Sequence, residues 1–264
     1  AKQGDIFPTL LHAIGQQHYF WKGMGHDLIS EPGYADDNYA LRRSLSDKLI
    51  RSNWFESPDL PHYIAHAGGS VYRYMYSNSL EAVRNTLAHG LDFIELDLSV
   101  TSDGELVAWH DWQFEWTEAP THDEFMARKI YGLFTPIDFP RMDSILTANP
   151  QLTLVTDKIS DPAVIDRWLG KYKDRMWVEC FSDEDYFALQ EKGYHVLASC
   201  VPPLKTDTPA VIRSYAFNYR HCADLSQCDG DCFALFGGEI SRRKADSLFA
   251  TDPRIRFVYV DFYE

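Results

Sequence analysis

Four residues in the first half of the chain have side chains suited to metal binding and proton transfer. His66 and His110 each lie at the end of an apolar run, and Glu95 and Asp97 lie within the apolar segment "DFIELDLS". Side chains alternate along a β-strand, so both carboxylates project from the same face. They repel each other unless a proton or a cation separates them, and the hard divalent cations Mg²⁺ and Ca²⁺ prefer oxygen ligands. Two histidines beside such a site are suited to general acid–base catalysis.

The elements that must position these residues appear as a regular alternation after residue 60. Apolar runs of strand length cover residues 62–67, 92–99, 105–110, 152–158, 177–181, 195–199, 232–237 and 256–262. Helix-like stretches separate several of them, and we predict N-caps at Asn78 and at Asp161, which precedes a proline. Alternation predicts a parallel sheet, and eight strands favour a closed (β/α)8 TIM barrel over a doubly wound open sheet. Such barrels form their active site at the strand ends, and the fourth run ends with Asp157 and Lys158.

Three segments then resemble one known family. They are "HAGG" at 66–69, "SNSLEAV" at 77–83 and "GLDFIELDLSVTSDGELVAWHD" at 90–111. In order and spacing they are similar to the His-Arg-Gly, Glu-Asn-Thr-Leu-Glu-Ala, Glu-x-Asp, Thr-x-Asp-Gly and His-Asp motifs of the glycerophosphodiester phosphodiesterases. Weaker similarity in "LVTDK" and "IRFVYVDFYE" extends the resemblance to roughly residues 60–264.

The resemblance implies a TIM-barrel catalytic domain over residues 61–264 that hydrolyses a phosphodiester. It implies one divalent cation, Mg²⁺ or Ca²⁺, held by Glu95, Asp97 and a third carboxylate. His66 and His110 would act as general base and general acid, in either order. The implied substrate is a small-molecule or lipid-derived phosphodiester, and the implied context is lipid metabolism.

The third metal ligand departs from the family pattern. The family has a glutamate two residues before the lysine of its fourth strand, where this chain has Thr156. Asp157 is the nearest carboxylate, but strict alternation would turn it away from an inward-facing Lys158. A bulge or a frayed strand end could bring both inward, and Glu179 on the fifth run is the alternative ligand.

The residues expected to bind phosphate also differ from the family pattern. Ala67 stands where the family has an arginine, whose guanidinium is suited to grip a phosphate with two hydrogen bonds. We expect Lys158 to be the main phosphate-binding cation, with Arg73 as a candidate replacement for the missing arginine.

These departures leave two alternatives to hydrolysis. The related sphingomyelinase D group also has an aspartate next to a lysine on its fourth strand, and its transfer reaction yields a cyclic phosphate. The other alternative is a catalytically inactive binding module. Retention of all four polar residues weighs against inactivity, since each is costly to bury without a function.

The composition of the chain limits the classes of binding partner. A formal net charge of −14 argues against nonspecific nucleic-acid binding. No apolar run reaches membrane-spanning length, and membrane contact has no support in the sequence. The sequence is compatible with several cellular locations, and a secreted or periplasmic location is favoured over a cytoplasmic one. Cys222, Cys228 and Cys232 are interpreted as ordinary thiols, with a disulfide or a zinc site as alternatives.

The first 60 residues have no counterpart in the family. The segment "FPTLLHAIGQQHYFW" has apolar and aromatic residues at helical spacing. We interpret residues 1–60 as a helical extension packed on the barrel, with a lipid-surface or partner-binding element as the alternative.

Overall fold

The computed structural model describes residues 62–72, 74–200, 214–218, 224–237 and 242–261. The interpretations of residues 1–60, Arg73 and Cys222 fall outside these ranges. All described residues belong to one compact unit, Asp59–Glu264.

The described strands form a closed parallel barrel with one strand attached outside it. They are β1 (His62–Ala65), β2 (Phe93–Val100), β3 (Leu106–Ala108), β4 (Thr153–Asp157), β5 (Met176–Cys180), β6 (His195–Ser199), β7 (Ser214–Asn218), β8 (Cys232–Phe236) and β9 (Ile255–Val260). The pairing order is β1-β9-β8-β7-β6-β5-β4-β2, and β1 also pairs with β2, which closes the ring of eight. The predicted TIM barrel is therefore confirmed.

One strand prediction was wrong, and one barrel strand was missed. The run at 105–110 contributes only β3, which pairs antiparallel with β2 and takes no part in the ring. The short segment between β2 and β3 contains the Asp103-Gly104 turn. A segment of this length can join only antiparallel strands, since a parallel crossover needs a dozen or more residues. The true eighth barrel strand is β7, whose segment "SYAFN" sequence reading missed.

Six α-helices lie among the described residues. They are α1 (Leu80–Ala88), α2 (His122–Ala127), α3 (Phe139–Ala148), α4 (Pro162–Leu169), α5 (Asp183–Glu191) and α6 (Arg242–Phe249). Asp161 caps α4 as predicted, by accepting hydrogen bonds from the backbone of Ala163 and Val164. The cap of α1 is Ser79, because its side chain accepts from Ala82 N, so Asn78 was wrongly predicted as the cap. No described helix combines the length and the apolar character that a membrane span requires.

Strand alternation sorts the side chains of the barrel into two environments. On β2, Ile94, Leu96 and Leu98 face outward and pack in the main core, which also contains residues of α1, α3, α4 and α5. Inward-facing residues of other strands, such as Val155 and Phe257, fill the lumen. Glu95 and Asp97 occupy the inward positions of β2 between those outward residues, and both are 1% exposed. The alternation therefore directs both carboxylates into the barrel.

Candidate active site

A cleft of about 600 Å³ opens at the carboxyl ends of the barrel strands. Its titratable lining residues include His66, Glu95, His110, Asp157, Lys158 and Glu179. Five aromatic residues also line it: Tyr76, Trp109, Tyr131, Phe236 and Tyr259. The cleft thus brings together both predicted histidines and most of the predicted acidic residues.

Three carboxylates form the acidic centre of the site. Glu95, Asp97 and Asp157 each have an oxygen within 4.8 Å of the others. The register between β2 and β4 explains this arrangement, because Asp97 pairs with Asp157 and Glu95 pairs with Val155. Paired residues on adjacent strands point to the same side of the sheet, so Asp157 faces inward beside Asp97. Thr156 is fully buried between these inward positions.

Lys158 reaches the cleft at the end of the strand, which is one of the two routes considered above, and not through a bulge. Asp157 obeys the strand alternation, and Lys158 departs from it with a left-handed φ of +73° directly after the strand ends. Its Nζ then lies 3.3 Å from Asp157 Oδ2. Neither a bulge in β4 nor a shift of register is required to bring both residues to the site.

The electrostatics of the acidic centre favour a bound cation. Burial, together with repulsion by Asp97 and Asp157, holds the pKa of Glu95 well above its usual range. Burial likewise raises the pKa of Asp97 against the opposing hydrogen bond from Asn78. Glu95 Oε1 and Asp97 Oδ1 are buried and have no hydrogen-bond partner among the described atoms. Unsatisfied buried oxygens are costly, and a hard divalent cation would satisfy both, so the donor set fits Mg²⁺ or Ca²⁺.

The second oxygens of these two carboxylates are held by backbone and side-chain donors. Ala67 N donates to Glu95 Oε2 at 2.6 Å, and Ala67 adopts a left-handed φ of +49°. Asn78 Nδ2 donates to Asp97 Oδ2 at 2.8 Å, and Asn78 Oδ1 accepts from Asp97 N at 3.0 Å. Asn78 was not predicted as a site residue. Each carboxylate therefore has one oxygen fixed by the protein and one left for a ligand.

His66 is oriented by an aspartate that sequence analysis also missed. His66 Nδ1 lies 2.7 Å from Asp261 Oδ1, and His66 Nε2 lies 3.9 Å from Glu95 Oε2. The ring packs edge-on against Phe236 with centroids 4.6 Å apart. Asp261 directly follows β9 and is 1% exposed. Because β9 pairs with β1, closure of the barrel brings Asp261 beside His66.

His110 approaches the cleft from outside the barrel. It follows β3 and is exposed. Burial raises the pKa of Asp97, and the nearby His110 offsets a small part of that rise. The neighbouring Asp111 has a structural role, because its side chain accepts from Gln113 N at 3.0 Å and caps the turn at Trp112–Phe114.

Lys158 is the one permanently charged cation that lines the cleft within the described ranges. Ala67 is buried and contributes only its backbone, so it offers no substitute for the family arginine. Burial alone would lower the pKa of Lys158, but the carboxylates of Asp157 and Asp97 outweigh it and raise that pKa overall. Lys158 is therefore an ammonium ion at neutral pH.

The cysteines form no cross-link among the described residues. Cys180, Cys200, Cys228 and Cys232 are not joined to one another by disulfides. With Cys222 outside the described ranges, the structure supplies no zinc site from this group.

Comparison with known proteins agrees with this geometry. Residues 66–131 match the family model of the glycerophosphoryl diester phosphodiesterase family. A putative glycerophosphoryl diester phosphodiesterase from Agrobacterium tumefaciens has 16% identity and a TM-score of 0.59, covering 76% of this chain and 94% of its own. A glycerophosphodiester phosphodiesterase from Parabacteroides distasonis has 15% identity and a TM-score of 0.56, covering 76% and 92%.

The corresponding domain of a Mycobacterium tuberculosis protein has 17% identity and a TM-score of 0.55, covering 76% of this chain and 96% of its own. At these identities the solved structures establish the barrel fold. No curated protein matches the sequence. The segment that is similar to the glycerophosphoryl diester phosphodiesterase family, residues 66–131, contains His66, Glu95, Asp97 and His110.

Proposed function

We propose that the cleft hydrolyses a glycerophosphodiester-like P–O bond with one divalent cation, Mg²⁺ or Ca²⁺, and with His66 and His110 as the proton-transfer pair. The observation that carries this proposal is the cluster of Glu95, Asp97 and Asp157 within 4.8 Å, with two buried oxygens left unpartnered. These three residues would hold the cation, which would polarise a phosphoryl oxygen.

His66 is suited to act as the general base. The Asp261 carboxylate accepts the hydrogen of Nδ1, which leaves the lone pair of Nε2 available on the side of Glu95. In the hydrolytic step, Nε2 would take a proton from water while the water oxygen forms a bond to phosphorus. Asp261 would stabilise the imidazolium that results.

His110 is suited to act as the general acid. As the bond between phosphorus and the alcohol oxygen breaks, His110 would donate a proton to that oxygen and release a neutral alcohol. Its exposed position at the cleft mouth allows the proton to be replaced from solvent.

Lys158 would hold the substrate phosphate. Its ammonium group lines the cleft and offsets the repulsion between an anionic diester and the acidic centre. Lys158 would thus supply part of the contact that the family arginine makes and Ala67 cannot.

Calorimetric titration of Mg²⁺ and Ca²⁺ into metal-stripped protein tests the metal site. We expect binding by the wild type, loss of binding in Glu95→Gln and Asp97→Asn, and unchanged binding in Asp123→Asn, whose carboxylate is exposed. Absence of binding by the wild type at millimolar metal and neutral pH would contradict the proposal.

Phosphorus NMR of the products tests the reaction. An open phosphomonoester indicates hydrolysis, whereas a cyclic phosphate indicates the transfer reaction of the sphingomyelinase D type. We expect the monoester, and we expect His66→Ala and His110→Ala each to abolish its formation.

A further inference from the structure

Two tight turns between the barrel strands project from the protein surface. The first joins Val71 to Tyr74 and the second joins Ile130 to Phe134. Each turn is closed by two backbone hydrogen bonds between the residues that it joins, at 2.8 and 2.9 Å in the first turn and at 2.9 Å in the second. Val71, Ile130 and Phe134 are buried in one apolar cluster. The bases of both turns are therefore fixed to the protein, and their tips extend into solvent.

The tips carry large side chains, whereas exposed turns usually contain glycine, asparagine or other small polar residues. Tyr72 is 66% exposed in the first turn, and Leu133 is 56% exposed in the second. Tyr74 and Tyr131 are also exposed, and their rings stack with centroids 5.8 Å apart. This stacking joins the two turns into one continuous surface. We call Tyr72, Tyr74, Tyr131 and Leu133 the tyrosine patch.

The backbone of the patch makes these large side chains costly. Tyr72 and Tyr131 have left-handed φ angles of +49° and +53°, a conformation that glycine and asparagine adopt most easily. Strain of this kind persists where the surrounding structure enforces it, and it is concentrated at functional sites. The same two side chains also expose apolar ring surface to water. Two independent costs at the same residues indicate that the patch serves a binding function.

The charge of the two turn segments differs from that of the rest of the chain. Residues 71–76 and 129–135 contain Arg73 and Lys129 and no aspartate or glutamate, although the chain has 39 acidic residues. The Glu115 carboxylate acts on Tyr131 from outside these segments, and it lies 3.8 Å from Arg128. Exposed tyrosine and leucine beside basic residues are typical of surfaces that enter the headgroup region of a bilayer, where basic groups attract phosphates.

We infer that the tyrosine patch docks the protein on a phospholipid surface. The net charge of −14 disfavours approach to an anionic bilayer, so we expect docking on zwitterionic phosphatidylcholine. Tyr131 also lines the cleft, and a bilayer held at the patch would therefore lie beside the cleft mouth. Docking is a binding property of the two turns. It requires neither a bound cation nor the proposed hydrolysis.

Co-sedimentation of the full chain with phosphatidylcholine vesicles tests this inference. We expect the wild type to bind, and we expect Tyr72→Ser and Leu133→Ser each to lower the partition coefficient at least about fivefold, because each removes apolar surface that would enter the bilayer. Phe187→Ser is the matched control, because Phe187 is also exposed but lies on α5, and it should leave the partition coefficient unchanged. The two tips are substituted separately, so loss of folding in one variant leaves the other informative.

Three results would overturn the inference. One is absence of vesicle binding by the wild type, and another is binding that survives both substitutions, since a different part of the chain would then be responsible. Sedimentation velocity without vesicles tests a second copy of this chain as the competing occupant. We expect the wild type and both variants to have the same association state. Self-association of the wild type that both substitutions abolish would assign the patch to a second copy instead.

Discussion

Replacement of Glu179 by glutamine should stabilise the metal-free protein, and more so as the pH rises. Glu179 lies in β5 with 7% of its surface exposed, and Tyr259 Oη donates a hydrogen bond to it. Burial, reinforced by the charge of Asp157, raises its pKa to about 8 from an ordinary value of 4.5. The folded protein therefore resists an ionisation that the unfolded chain undergoes freely. The glutamine oxygen can still accept the hydrogen bond from Tyr259.

The sign and the size of the effect follow from linkage. For an acid with a raised folded-state pKa, stability is greatest below pH 4.5, falls between pH 4.5 and 8, and is constant above pH 8. The difference between these two pKa values sets the loss of unfolding free energy that Glu179 causes. It is about 1 kcal/mol at pH 5, about 3 kcal/mol at pH 7 and about 5 kcal/mol above pH 8. Glu179→Gln should recover most of this free energy of unfolding at each pH.

Urea denaturation in EDTA at pH 5, 7 and 8.5 measures these differences. Glu191→Gln, which removes an exposed carboxylate, is the matched control and should leave the unfolding free energy unchanged. A stabilisation by Glu179→Gln that does not grow between pH 5 and 8.5 would refute the reasoning. Calorimetry on the same variant also tests the ligand assignment, because retained Mg²⁺ affinity is expected if Asp157 is the third ligand.

Three further predictions concern contacts around the acidic centre. Asp261→Asn should lower kcat at least about a hundredfold with KM nearly unchanged, because His66 loses the carboxylate charge that would stabilise its imidazolium, and an unaltered pH–rate profile would contradict this role. Asn78→Ala should lower the free energy of unfolding by about 2–4 kcal/mol in urea, because two hydrogen bonds to buried Asp97 are lost, and a loss below about 1 kcal/mol would argue against it. Lys158→Met should raise KM about tenfold or more in steady-state kinetics if its ammonium group binds the phosphate, and an unchanged KM would exclude that contact.

The barrel was predictable from the alternation of apolar runs and helices, because a parallel sheet requires that order. The error at 105–110 arose where strand composition was given more weight than turn chemistry. The Asp103-Gly104 pair indicates a hairpin, and a hairpin cannot continue a parallel ring. The strand at Ser214–Asn218 was missed because it is short and its segment "SYAFN" contains no β-branched residue.

The inward direction of Glu95 and Asp97 followed from their spacing in a buried strand. The direction of Asp157 depended on whether Lys158 continued the alternation, and the left-handed backbone at Lys158 has no signal in residue type. Asp261 could not be predicted as a site residue for a different reason. It lies 195 residues from His66, and only closure of the ring between β1 and β9 makes the two neighbours.

Because β3 lies outside the barrel, the segment that contains it can differ between related barrels. Residues 101–138 form an excursion between two strands that pair directly with each other, since β2 and β4 are in register from Phe93 with Thr153 to Asp97 with Asp157. This excursion supplies His110, Trp109, Glu115 and Tyr131, whereas the acidic centre belongs to the strands. Its length and sequence can therefore change without altering the barrel register or the carboxylate cluster. The carboxylate cluster and His110 thus belong to separate parts of the chain, and an excursion grafted from a related barrel would be expected to leave the cluster in place.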